Sequence, residues 1–299
     1  MSAAGYRRWV ALGLLMPLGW FGPDSGTVAE RPANAFSALD SAVLSGVRKG
    51  VYPGAVVVVG RSTGILHSRG FGHLAPGSRS PVPSPDSTLF DLASLTKVVA
   101  TASAAMVLVD RGRIDLDAPV RRYLPEFRAL DQQAITVRML LNHTSGLKPS
   151  GAFFRLASSR REAIALLLRE RPERLPGSSA VYSDINAMLL GLIVERVSGQ
   201  ALDYFARGEI FQPLGMQSTR FLPPRGWWPR IAASFLEHGR PVAGTVQDQN
   251  ARILGGIAGH AGLFATASDL ARFARWWLAE GLSPAGGQLA IPRAFQACG

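Results

Sequence analysis

The stretch Phe90–Asp110, FDLASLTKVVATASAAMVLVD, constrains this chain more than any other. Read as a helix from about Ser94, it sets Leu95, Val98, Val99, Ala102, Met106 and Val109 on one stripe at helical spacing. The opposite side carries Ala, Ser and Thr in place of charge, so the helix is predicted to be buried nearly all round. Between Ser94 and Val109 the only ionisable side chain is Lys97. Three residues separate it from Ser94, one turn along the same face, so hydroxyl and amine can meet. A buried ammonium is costly unless paired or neutral, and a Lys of lowered pKa beside a Ser is the pattern of an activated nucleophile. Spacing alone also fits a Lys snorkelling from the edge of a helix bundle. A second match, Ser145-Gly-Leu-Lys148, shows how readily the spelling arises; Gly146 and Pro149 make that copy a loop.

Upstream, Arg7-Arg8, an apolar run from Trp9 to Phe21 and then small residues have the pattern of a secretory signal, so residues 1–35 are read as a signal peptide cleaved after Ala29 or Ala35. The expected location is therefore the periplasm or another extracellular or cell-envelope space, with membrane contact only through that segment during export. Cys298 is the single cysteine, so no internal disulfide can form. The net charge of +11 comes almost wholly from scattered Arg, with no basic stripe interleaved with aromatics, and nucleic-acid binding is not expected. Neither a His-Glu-x-x-His, nor a Gly-x-Ser-x-Gly elbow, nor a phosphate-cradling loop ending in Lys-Ser/Thr is present, so no metal or cofactor is expected.

In chain order, Asn34 is positioned to cap a helix through about Arg48. The β-branched run Ala55–Val59 and the segment Ile65–Phe71, joined at Thr63-Gly64, predict a β-hairpin. Thr136 caps a short helix, and another spans about Arg160–Glu170. Val181–Ser183 is extended, with Asp184 as cap of a helix to about Val197. Gly255–Gly262 reads as a flexible loop, Leu263–Ala265 as a short apolar segment, and Ser268 as cap of a helix ending near Ala279. One hairpin followed by helices predicts an α+β protein with a helical subdomain, although two strands alone make a poor sheet.

A Ser/Lys pair needs a third group to pass a proton to the leaving atom, and Tyr182, beside Ser183 and Asp184 where strand gives way to helix, is a suitable phenol. The motifs then accumulate in order. Ser94-Leu-Thr-Lys97 is followed by Leu140-Leu-Asn-His-Thr-Ser-Gly-Leu147, by Tyr182-Ser-Asp184 with Leu189-Leu-Gly191 and Val197-Ser-Gly199, and by Pro213-Leu-Gly-Met216. Gly259-His-Ala-Gly-Leu-Phe-Ala-Thr-Ala-Ser-Asp-Leu270 closes the set. From about Phe36 to Ala279 this resembles the serine β-lactamase / penicillin-binding protein superfamily, in particular the class C β-lactamase-related hydrolases.

The resemblance implies a β-lactamase/transpeptidase-like α+β fold, a helical subdomain against an antiparallel sheet, over residues 36–299. It implies Ser94 as the acylated nucleophile, Lys97 as acceptor of its proton and Tyr182 as proton relay. Asp184, where many relatives carry Asn, and His260 would contact substrate, and His143–Leu147 would be a structural landmark. The implied substrate is a small molecule or muropeptide, an amide or ester in a D-amino-acid peptide or a β-lactam, attacked without a cofactor. The family's third motif, a Lys- or His-x-Gly on an inner strand, follows the helix that here begins near Ser268. His260-Ala-Gly262 has its spelling but precedes that helix. The domain is therefore expected to be incomplete at its C-terminal end. The alternative implied is a truncated, catalytically impaired pseudoenzyme or a module that binds wall fragments.

Overall fold

A computed structural model describes residues 35–77 and 79–279. Residues 1–34 of the expected signal peptide, among them the expected Asn34 cap, and Cys298 lie outside them. The chain divides into Met1–Ser37 and Ala38–Gly299. The expected hairpin forms from β1 (Gly54–Arg61) and β2 (Gly64–Gly72), antiparallel, with a bulge at Val59/Gly60. The helix Ser37–Arg48 lies beside it: Asp40 bonds His67 at 2.8 Å and Arg69 at 2.6 Å, both on β2.

A second sheet comes from strands too short to show any alternation. It orders β3 (Phe90–Asp91), β7 (Leu263–Ala265) and β4 (Arg220–Phe221), with β7 central and both pairings antiparallel. Between β4 and β7 in sequence lies a small hairpin, β5 (Phe235–Glu237) with β6 (Arg240–Val242). The architecture is α+β, and the second sheet supplies what two strands alone could not.

The helix after β3 forms where the apolar stripe predicts it, over Ala93–Asp110, but its winding changes along its length. It opens as a 3₁₀ turn at Ala93–Leu95, widens to a π-helix over Lys97–Ala102 and is α-helical from Ser103 to Asp110. Such changes of pitch rotate the stripe away from its α-helical phase. As a result Leu95 and Val98, expected inside, are 52% and 47% exposed, whereas Thr96, Ala100, Thr101, Ser103 and Ala104 are wholly buried. The Ala/Ser/Thr side is thus the side that packs. Its partner is Asp184–Ser198, whose Ile185, Leu189, Ile193 and Val194 lie in the same core.

Two helix starts differ from expectation by one or two residues. Ser183 is the cap in place of Asp184: its backbone is extended (φ −140°, ψ 124°) and its side chain accepts the Asn186 N–H. Thr266 likewise replaces Ser268, accepting the Asp269 N–H at the start of Ala267–Leu278. The Gly255–Gly262 segment, expected to be flexible, runs into a buried stretch from Ala258 to Thr266. Gly259 is pressed onto the Asp184–Ser198 helix, where any side chain would collide with the Ala187 carbonyl. The facing residue is Gly191, from which a Cβ would stand 3.0 Å from Gly259 Cα.

Candidate active site

β7 sets the start of the central helix. Leu92 donates its N–H to the Leu263 carbonyl (2.9 Å), and Leu263 donates its own to Thr96 Oγ1 (3.2 Å). Asp91 adds a further restraint, accepting the Ala93 N–H at 3.0 Å on one oxygen and the Gln247 N–H at 2.8 Å on the other. Burial pushes the Asp91 carboxyl above its usual range, against the pull of those two N–H groups. Ala93 is held at φ +45°, a left-handed conformation uncommon for a residue with a Cβ, immediately before Ser94. Ser94 itself is exposed.

One turn on, Lys97 is 8% exposed and its Nζ lies 3.0 Å from Ser94 Oγ. The same nitrogen lies 2.7 Å from Asp184 Oδ1 and 3.1 Å from the His260 carbonyl oxygen. The loop bearing that carbonyl is anchored next door, where Thr101 Oγ1 donates to the Gly259 carbonyl at 2.7 Å. Because Ser183 does the capping, Asp184 in the first helical turn is free to reach Lys97.

Tyr182 is 54% exposed and turns its ring toward Lys97, with Nζ 4.9 Å from the centroid. Its backbone is fixed on both sides. Val181 N–H donates to the His143 carbonyl at 2.8 Å, and Asp184 N–H to the Pro149 carbonyl at 2.7 Å. Ser183 Oγ donates to the Lys148 carbonyl at 2.6 Å. The His143 ring sits 4.8 Å from the Tyr182 ring, and its Nδ1 faces two donors, the Ser183 N–H and Asn186 Nδ2, each at 3.2 Å. Two donors on Nδ1 fix the neutral tautomer protonated at Nε2. Burial, and next the charge on Lys97, lower the His143 pKa, with Asp184 acting the other way. The His143–Leu147 segment thus supports the phenol from behind; Ser145 Oγ completes the network by donating to Asn186 Oδ1 at 2.6 Å.

The structure therefore gathers Ser94, Lys97, Tyr182 and Asp184 and brings in His260 through its backbone. The His260 ring is 1% exposed, and its Nε2 pairs with Asp248 at 2.8 Å. Asp248 also caps the Gln249–Ile253 helix by accepting the Ala251 N–H. The bonds from His260 and from backbone N–H groups hold the Asp248 carboxyl below its usual range, even though its burial acts in the opposite direction. Asp248 lines a polar groove with Gln247, Asn250, Arg252, Arg155 and Phe235. His143 is marked in the sequence only as part of a structural landmark; Asp91 and Asp248 are not legible as parts of this arrangement, since nothing in local sequence marks their partners.

The arrangement is an exposed hydroxyl over a buried amine, flanked by a phenol and a carboxylate. The chain belongs to the Beta-lactamase family, whose model matches residues 36–297, and so to the serine β-lactamase / penicillin-binding protein superfamily with its mixed α+β fold. Among relatives, a Bacillus subtilis (strain 168) protein named N-acetylmuramyl-L-alanine amidase is 33% identical, the match covering 74% of this chain and 58% of that one. An Escherichia coli (strain K12) protein provisionally named a D-alanyl-D-alanine carboxypeptidase is 30% identical over the same shares. The crystal structure of a class C beta lactamase from Rhodobacter sphaeroides superimposes with a TM-score of 0.70 at 25% identity, covering 87% of this chain and 69% of that one. The chain spans 58% of the length of the two curated relatives.

Proposed function

We propose that this chain carries the acylation machinery of an exported serine hydrolase acting on amide or ester bonds of peptidoglycan-derived D-amino-acid peptides or of β-lactam-like rings. Ser94 Oγ attacks the substrate carbonyl while Lys97 Nζ accepts the hydroxyl proton. As the tetrahedral adduct collapses, Tyr182 hands a proton to the departing nitrogen or oxygen, and water later releases the acyl group from Ser94. No cofactor takes part. The observation that carries this reading is the 3.0 Å contact between Ser94 Oγ and a buried Lys97 Nζ, with the Tyr182 ring 4.9 Å from that nitrogen. The names of the relatives, an amidase and a carboxypeptidase, favour wall peptides as the substrate class.

Labelling with a fluorescent penicillin and with a fluorophosphonate tests it. Both reagents should mark the wild-type chain at Ser94 and leave Ser94→Ala unmarked. A folded wild-type chain that takes neither label defeats the proposal.

A further inference from the structure

The arginines are scattered along the chain, yet the fold collects three of them on two neighbouring tryptophans. Trp227 lies in the 3₁₀ turn Arg225–Arg230 and has two guanidinium groups over its ring. Arg220 Cζ is 4.8 Å and Arg230 Cζ 4.1 Å from the ring centroid. Arg225 Cζ stands 5.6 Å from the centroid of Trp228.

Fixed backbone carries both members of the Trp227 pair. Arg220 lies on β4, opposite Phe264 of the central strand β7, and the Arg230 carbonyl accepts the Leu89 N–H at 3.1 Å. Trp228 pins the turn between them: its Nε1 donates to the Pro223 carbonyl at 3.2 Å, and its indole lies against Gly244.

A ring face attracts a cation but takes none of the N–H bonds that a guanidinium makes in its own plane. Among the described residues neither Arg220 nor Arg230 has a carboxylate at ion-pairing distance, whereas Arg69, Arg111, Arg138 and Arg196 are each paired. Arg220 Nε is buried and meets no acceptor. Arg230 makes one long bond, from Nη1 to the Ser87 carbonyl at 3.4 Å. Two like charges, both half-buried, are thus held over one ring with most of their donors unused. Partly desolvated cations of this kind gain from a shared anion. A carboxylate is planar and is saturated by one guanidinium fork. A phosphate group has oxygens on several sides and up to two negative charges, so it accepts from two guanidinium groups at once.

We propose that Arg220, Arg230 and Trp227 form a binding site for a phosphate group, free in solution or carried as the headgroup of an anionic lipid. Arg225 adds charge beside it. The indole holds the guanidinium planes before the ligand arrives, which lowers the cost of ordering them. The site is independent of the acyl-transfer reading and stands or falls without it.

Calorimetric titration of the full chain with inorganic phosphate, at fixed ionic strength, tests the free form. Co-sedimentation with vesicles of phosphatidylcholine, with and without phosphatidylglycerol, tests the headgroup form. The wild type should bind phosphate saturably and about 10-fold more tightly than acetate, or prefer the phosphatidylglycerol vesicles by about 10-fold, or both. Arg220→Gln and Arg230→Gln should each weaken that binding about 10-fold, as losing a charge-assisted bond does. Arg121→Gln, which removes the same charge from an exposed residue elsewhere, should change it by less than about 2-fold.

Phosphate binding without a vesicle preference assigns the site to free phosphate, and the reverse assigns it to the headgroup. A wild type that binds neither probe overturns the proposal, and that measurement needs no variant. So does acetate bound as tightly as phosphate, or affinity unchanged in both Arg220→Gln and Arg230→Gln. A loss in Arg121→Gln as large as theirs also overturns it, because attraction would then belong to the charge of the whole protein. Urea denaturation checks that each variant is folded; if Arg220→Gln is not, Arg230→Gln and the acetate comparison decide.

Discussion

The β1–β2 hairpin and the helical half that carries the site are built on opposite principles. Every residue of β1 is half-buried or exposed, and on β2 only Phe71 is fully buried. The hairpin is held by its backbone ladder and by a polar tie, Asp40 to His67 and Arg69. The site half is held by closure. Glycine meets glycine between Gly191 and Gly259, the buried Thr101 hydroxyl bonds the Gly259 carbonyl of the adjoining loop, and the one buried lysine amine among the described residues has three partners. Where the ladder faces solvent, as at Gly64, a Cβ meets nothing within 4 Å, whereas at Gly70 it would collide with the Pro83 carbonyl. At the closed interface neighbouring backbone has nowhere to go. Chemistry is placed where positions are enforced.

The sharpest test of that contrast is Lys97→Ala. Removing a general base typically costs ~10²–10⁴ in rate, so fluorophosphonate labelling of Ser94 should fall by that factor while urea denaturation shows a folded chain. A fall of less than about 10-fold would mean that the proton leaves Ser94 by another route. Next in size is a matched glycine pair. Gly259→Ala should destabilise by about 1–3 kcal/mol or more, because its Cβ meets the Ala187 carbonyl. Gly64→Ala at the start of β2, where a Cβ meets nothing within 4 Å, should change stability by no more than about 0.5 kcal/mol. Equal effects in urea melts would erase the distinction between the closed Gly191/Gly259 interface and the solvent-facing end of the ladder.

Thr101→Val follows. It leaves the buried Gly259 carbonyl without its hydroxyl donor and should cost about 1–3 kcal/mol, with Thr101→Ser recovering most of the loss. The smallest effect is a pH dependence. His143 has a lowered pKa in the folded chain, so the unfolded chain binds more protons once pH drops below about 6.5. Its contribution is therefore present above that pH and is lost as pH falls through the folded value. The urea midpoint should decline more between pH 7.5 and 5.5 in the wild type than in His143→Asn. Parallel declines would show that folding leaves the proton affinity of the imidazole unchanged.

The sequence exposes features whose cause is local. The central helix, the Ser94/Lys97 spacing, the hairpin and the Thr136 cap follow from period, caps and turn residues within a few positions. The family motifs add order along the chain. What escaped has its cause elsewhere in the fold. The exposure of Leu95 and Val98 accompanies 3₁₀ and π winding in a stretch that β7, far along the chain, bonds at Leu92 and Thr96. Strands of two or three residues carry no period to read. The contacts of Asp184 with Lys97, Asp248 with His260 and Gly191 with Gly259 join residues with no shared local pattern. Asp184 passed for a cap because Asp suits that role; Ser183, one residue earlier, already filled it.

Ala93 places a limit on how this protein can be improved. Its backbone sits at φ +45°, where glycine rests without strain and alanine does not. A screen for heat tolerance would therefore favour glycine at 93, relaxing the turn that delivers the next residue. The same relaxation would let Ser94 wander over more orientations, so hardier variants selected at this position should be the slower catalysts.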